Sequence, residues 1–138
     1  NQFLNEKIDL EMYRDSCCIF DDCDTISDKK IKEKVYTLMN SVLNTGRHFN
    51  ITVWSVNHTP TGTKTETKIV LNEAHTLVYF SINMNRALLY LLENYSCLDK
   101  KAINEIRKMK SRWVTIYKQF PQVVITEKKI IMMGELCN

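Results

Sequence analysis

The sequence predicts an α/β fold built on a parallel sheet with flanking helices and a C-terminal β-hairpin. Three observations predict it. Residues 16–20 (Ser-Cys-Cys-Ile-Phe) form a short apolar run that stops abruptly at Asp21 and Asp22, as a strand of a parallel sheet does where its carboxyl end meets solvent or a ligand. A helix-spaced segment follows, and then a second β-rich run, residues 49–56 (FNITVWSV), that again ends in polar residues, Asn57 and His58. The order strand, helix, strand, loop, strand is the pattern of a parallel sheet.

The elements follow in order. Residues 1–14 are polar and weakly patterned. The apolar content of 16–20 predicts a strand buried on both faces. Ile31, Val35, Leu38, Met39 and Val42 recur at helical spacing, so a helix is expected over 28–45, capped by Ser27 or Asp28 and stopped at Gly46. Residues 49–56 read as a second buried strand and 59–68 as a Thr-rich loop. A third strand is expected at 76–80, helices at 85–95 and 99–110, and strands at 113–117, 123–126 and 130–133. Pro121 separates the first two of these, and Glu127-Lys128 turns a hairpin between the last two. No repeat or long linker is present, and one domain over 1–138 is expected.

Composition narrows the function classes. The chain has 138 residues, 44% hydrophobic and 25% charged, with a net charge of +3, ordinary values for a globular domain with a real core. No apolar run approaches the roughly 18 residues of a membrane-spanning helix. The start lacks the basic-then-apolar pattern of a signal peptide. It opens on Asn1 rather than Met, which suggests part of a longer protein. Positive charge gathers between residues 99 and 118, where Lys100, Lys101, Arg107, Lys108, Lys110, Arg112 and Lys118 face only Asp99 and Glu105. Such a segment follows a phosphate backbone or forms a solvated helix face. The five cysteines, Cys17, Cys18, Cys23, Cys97 and Cys137, include no C-x-x-C pair. They read as reduced thiols of a cytosol-like compartment, and neither they nor His48, His58 and His75 have zinc-ligand spacing.

The chemistry-bearing residues gather at the strand ends. Asp21 and Asp22 suit a Walker B strand, with Asp21 holding Mg²⁺ through water and Asp22 polarising the attacking water. They equally suit a strand-to-turn junction in which Asp22, Asp24, Ser27 and Asp28 serve as turn and capping residues. Arg47 and His48 can likewise simply follow a helix C-terminus and favour its dipole.

In order and spacing, CCIFDD, LNTGRHFNITVWSVNH, LNEAHTLVYF and SRWVTIYKQFPQVVI resemble the second half of the poxvirus-type DNA-packaging ATPases of large cytoplasmic DNA viruses, a branch of the FtsK/HerA superfamily of P-loop NTPases. The resemblance covers residues 15–133, and GRHFNI followed by a strand ending in NH carries most of it. It implies a partial P-loop NTPase sheet of the ASCE type. It implies Asp21 as the Walker B metal residue and Asp22 as the adjacent catalytic acid. Asn57 or His58 would be the sensor of the γ-phosphate or attacking water. Arg47 would be an arginine finger acting on a neighbouring subunit. ATP and Mg²⁺ are the implied cofactors. Double-stranded DNA, capsid proteins and further copies in a ring are the implied partners, at a viral assembly site in the host cytoplasm or in the virion. One departure is large. The glycines are Gly46, Gly62 and Gly134, and none begins the Gly-Lys-Ser/Thr that ends a phosphate-binding loop. The chain therefore holds half of such an ATP site. Three readings stay open: the carboxyl half of a packaging motor, a non-hydrolysing structural or assembly relative, and a DNA-binding domain using the basic segment.

Overall fold

A computed structural model describes residues 2–58, 65–80 and 85–132, with the side chains of 65–67 left aside. The chain forms two compact units, Asn1–Glu73 and Ala74–Asn138.

In the first unit, a short helix α1 (Gln2–Asn5) and a 3₁₀ turn (Leu10–Tyr13) lead into strand β1 (Cys17–Asp21). Helix α2 (Lys29–Thr45) crosses to strand β2 (Thr52–Val56), and helix α3 (Thr65–Glu73) follows. The Asp28 carboxylate caps α2 by accepting from the Ile31 amide at 3.0 Å, the position expected of an N-cap. The apolar stripe of α2 turns Leu38, Met39 and Val42 into a core with Phe20, Cys23 and Ile51. β1 and β2 pair in parallel, with Cys17 opposite Thr52 and Asp21 opposite Val56. The expected parallel neighbours have formed.

The entry to the two strands is pinned from both sides. Asp15 and Asn50 both take left-handed backbone conformations, with φ of 56° and 54°. The Asn50 amide side chain donates to Asp15 Oδ1 at 2.8 Å. The Asp15 amide donates to the Phe49 carbonyl at 3.0 Å and the Thr52 amide to the Ser16 carbonyl at 2.9 Å. Phe49 thus belongs to a 3₁₀ turn (Gly46–Phe49) and not to the strand.

Gly46 stands where the helix stop was expected, yet its backbone is right-handed, at φ −57° and ψ −27°. Packing, not conformational freedom, accounts for the glycine. A Cβ there would lie 2.9 Å from Val42 Cγ1 and 3.4 Å from Ile51 Cβ, and a β-branched Val has little room to yield. Gly46→Ala is expected to lower unfolding free energy by about 1–3 kcal/mol, the usual cost of overpacking. A urea titration of the two proteins checks it, and an unchanged midpoint would contradict the packing account.

In the second unit, strand β3 (Thr76–Phe80) is followed by helices α4 (Arg86–Tyr95) and α5 (Lys100–Lys108) and by strands β4 (Trp113–Tyr117), β5 (Val123–Thr126) and β6 (Ile130–Met132). Asn85 and Asp99 cap the helices, accepting from the Leu88 and Ala102 amides at 2.8 and 2.7 Å. The strands form an antiparallel sheet in the order β3-β4-β5-β6. The β5–β6 turn falls at Glu127-Lys128, where the Thr126 amide donates to the Lys129 carbonyl at 2.8 Å. Leu77, Tyr79, Val114, Ile116 and Val124 form the buried face of this sheet, and Leu88, Leu91, Leu92, Ile103 and Ile106 are the buried residues of α4 and α5. Burial pushes the Tyr79 hydroxyl well above its ordinary pKa.

Several expectations are corrected. The parallel sheet does not extend to the third strand among the described residues. β3 pairs antiparallel with β4, because the α4–α5 hairpin returns the chain alongside β3 in the opposite direction. β1 and β2 are not buried on both faces: Ile19 and Trp54 are 66% and 62% exposed. The Thr-rich stretch 59–68 is partly helical, since α3 begins at Thr65, and its earlier part lies outside the described residues, as does the last residue of the expected 130–133 strand.

Candidate functional site

Parallel pairing puts both carboxyl ends of β1 and β2 on one rim. Asp21 closes β1 opposite Val56, so the next residues of each strand, Asp22 on one side and Asn57 and His58 on the other, emerge together. Asp22 turns the chain with a left-handed backbone, φ 50° and ψ 28°. This is an uncommon conformation that Asp tolerates better than most residues. It leads into a 3₁₀ turn (Cys23–Thr25), in which the Thr25 hydroxyl and amide both donate to the Asp22 carbonyl, at 2.8 and 3.0 Å. The bend lifts the Asp22 carboxylate toward β2, and His58 Nε2 lies 2.8 Å from its Oδ1. This is a charge pair whenever the imidazole is protonated.

The contact leaves the carboxylate only partly satisfied. Asp22 Oδ1 is shielded from water and receives no aligned hydrogen bond among the described residues, and the same holds for Asp24 Oδ1. A shielded carboxylate oxygen without a donor is costly unless a cation or water serves it. The nearby lysine does not: Lys32 Nζ donates to the Asp24 backbone carbonyl. The concentration of negative charge registers on the buried Cys23 thiol. Desolvation first, then Asp21, Asp24 and Asp22, push its pKa up, and Lys32 opposes them.

Among the described residues no three His, Cys, Asp or Glu side chains are arranged to enclose a metal ion. Mg²⁺ does not require such a cage. It keeps several waters and is held by one or two carboxylates together with substrate phosphates. Asp21, exposed at the strand end, supplies a carboxylate of the kind a hydrated Mg²⁺ takes, whereas Asp22 Oδ1 is taken up by His58 Nε2 and Asp24 Oδ1 is shielded from solvent.

Asn57 and His58 now separate. The Asn57 side-chain amide donates back to Ser55 Oγ at 2.9 Å, which ties it to its own strand. His58 is the one that faces Asp22. Sequence alone left the two equivalent, because nothing in NH tells which side chain turns inward.

Arg47 is not brought to this rim. It lies exposed in the 3₁₀ turn before β2, at the amino end of the sheet. It is a strand length, about 17 Å, from the carboxylates. Within one chain it does not reach the Asp22 carboxylate. The basic segment is partly engaged, with Lys108 Nζ 2.6 Å from Glu105 and Arg112 Nε 2.6 Å from Glu127. The Arg112 backbone amide, then its guanidinium, hold the Glu127 carboxyl below its ordinary pKa.

No family model matches the chain, and no solved structure matches it. Over 115 residues it is 40% identical to the uncharacterized protein V3 of Sputnik virophage, a match that covers 83% of this chain and 47% of that protein. The chain spans about half the length of the relative it resembles, and that relative is a viral protein.

Proposed function

We propose that this chain is the part, from Walker B onward, of a viral genome-packaging ATPase that couples ATP hydrolysis to the movement of double-stranded DNA into a capsid. The observation that carries the reading is the contact of Asp22 with His58 at the carboxyl ends of two adjacent parallel strands, just beyond Asp21, the place where open α/β sheets bind their ligands. Asp21 holds hydrated Mg²⁺. Asp22 orients the attacking water and takes its proton. His58 senses the γ-phosphate, since Asn57 is tied to Ser55. Arg47, remote from its own site, serves the site of the next subunit in a ring. The exposed cations of α5 and its flank, Lys100, Arg107 and Lys110 among them, face the DNA backbone. A virophage relative of about twice the matched length has room for a phosphate-binding loop, and ATP would supply the scissile phosphoanhydride.

The test compares two proteins. The chain alone is expected to show neither tight ATP binding nor turnover, because the phosphate loop and its Lys make most phosphate contacts. Joined to the polypeptide that its genome encodes immediately upstream of Asn1, it is expected to hydrolyse Mg·ATP and to do so faster with double-stranded DNA. Turnover by the chain alone, or an upstream region without G-x-x-x-x-G-K-[ST], would overturn the reading. The second outcome would favour a non-hydrolysing assembly protein.

A further inference from the structure

Arg112, a cation of the basic segment, is already wrapped around an anion of its own chain. Its backbone amide donates to Glu127 Oε2 at 2.7 Å and its guanidinium Nε to Glu127 Oε1 at 2.6 Å. Main chain and side chain of one residue thus close on both oxygens of one carboxylate. The Glu127 amide in turn donates to Ser111 Oγ at 3.3 Å, which fixes the carboxylate's own backbone beside the cradle. The lowered pKa of Glu127 has its origin in these same donors.

A phosphodiester would use the same donors. Guanidinium and backbone N–H groups bind carboxylate and phosphate oxygens in the same two-point geometry. The surroundings favour the phosphate. Continuing the β4–β5 register past Val114 and Thr126 carries Arg112 alongside the β5–β6 turn, where Lys128 and Lys129 are exposed. Lys110, also exposed, comes two residues before Arg112. Two stretches of sequence therefore bring four cations to one corner of the sheet, with Glu127 in their midst. The Arg112 side chain is 80% exposed and that of Glu127 22%. An ion pair so open on one side is screened and weakly held, so a polyanion of high charge density can displace the carboxylate.

We propose that Glu127 is an intramolecular stand-in for a DNA phosphate. It fills the Arg112 cradle in the free chain and yields it to a backbone phosphate when double-stranded DNA reaches the corner formed by Lys110, Lys128 and Lys129. This deepens the reading of the basic segment as a DNA contact, and rests on it, but not on ATP hydrolysis.

Binding of a short fluorescent DNA duplex to this chain, followed by anisotropy over a range of salt concentrations, tests it. Glu127→Gln is expected to tighten binding about fivefold and to steepen the slope of log Kd against log salt by about 0.9, the signature of one more neutralised phosphate. In an Arg112→Gln background the same change is expected to leave the slope where it was and to tighten binding less than about twofold, because only general charge remains. In the unaltered chain the Arg112 Nε–H resonance is expected to move when duplex is added, as its partner changes from carboxylate to phosphate. That measurement keeps the test valid if a variant fails to fold. Inorganic phosphate in place of duplex is expected to leave the resonance in position. Unchanged binding by Glu127→Gln, a gain of equal size without Arg112, or a resonance that ignores DNA would overturn the proposal and leave the DNA contact standing. A resonance that moves with inorganic phosphate would overturn it in favour of a free anion. If none of these proteins binds duplex, both the masked cradle and the DNA contact fall. An Arg112-dependent gain in a chain whose joined form hydrolyses no ATP would support the masked cradle and remove the motor reading.

Discussion

In the protein joined to its upstream half, Asp22→Asn is expected to abolish measurable ATP turnover and to preserve Mg·ATP binding. The amide keeps the shape and the contact with His58 but can no longer take a proton from water. The loss should reach at least the roughly 10²–10⁴-fold that a general base contributes. Asp21→Asn should behave differently, weakening Mg·ATP binding as well as turnover, because in the proposed site it removes a ligand of the cation. Isothermal titration with a slowly hydrolysed ATP analogue, beside steady-state kinetics, separates the two. Equal binding defects in both variants would dissolve the division of labour between neighbouring carboxylates. Asn57→Ala and His58→Ala extend the comparison. If His58 is the sensor, its loss is the more damaging, and the reverse order would return the role to Asn57.

Arg47→Ala is expected to lower turnover in the same protein by roughly 10³-fold, the scale of an arginine finger. Arg47 sits at the amino end of β2 and Asp22 beyond the carboxyl end of β1, so the defect should be repairable only from another subunit. Mixing the Arg47→Ala protein with the Asp22→Asn protein places an intact site against an intact Arg at some interfaces. A fraction of the activity should return there. If mixed rings form, as mass spectrometry can establish, and nothing returns, Arg47 does not act in trans. The helix-dipole role of a cation after α2 would then suffice to account for it.

Much of the secondary structure was legible because periodicity and punctuation agreed. Strands at Trp113–Tyr117 and Val123–Thr126 stand where alternating β-branched and aromatic residues predict them, and Asp28 caps where an Asx residue precedes an apolar stripe. Sheet architecture was less legible. An apolar run such as Cys17-Cys18-Ile19-Phe20 reads the same whether both faces are covered or one is bare, and Ile19 proves exposed. The direction of β3 depends on how α4 and α5 return the chain, a tertiary matter to which local pattern is blind. In the site, the pairing of carboxylates with a polar strand end could be expected from residue order alone. That His58 and not Asn57 faces Asp22 turned on the Ser55 hydroxyl two residues earlier. The donor-less oxygen of Asp24 had no sequence signal beyond one acidic residue in a turn.

The paired left-handed residues at the start of β1 and β2 carry a consequence for how this protein can change. Asp15 and Asn50 are fastened to each other, and seven and eight residues later the chain delivers Asp22 and His58 to within 2.8 Å. The two segments behave as rails held in one register and bolted at one end. Gain or loss of one residue in either rail would invert every following side chain between the covered and bare faces and carry one partner past the other. Length variation among descendants of this gene should therefore be scarce between 15 and 22 and between 50 and 58. The stretch before Asp15 is bound by no such register, and what holds it is packing, with Ile8, Leu10 and Tyr13 set against the core.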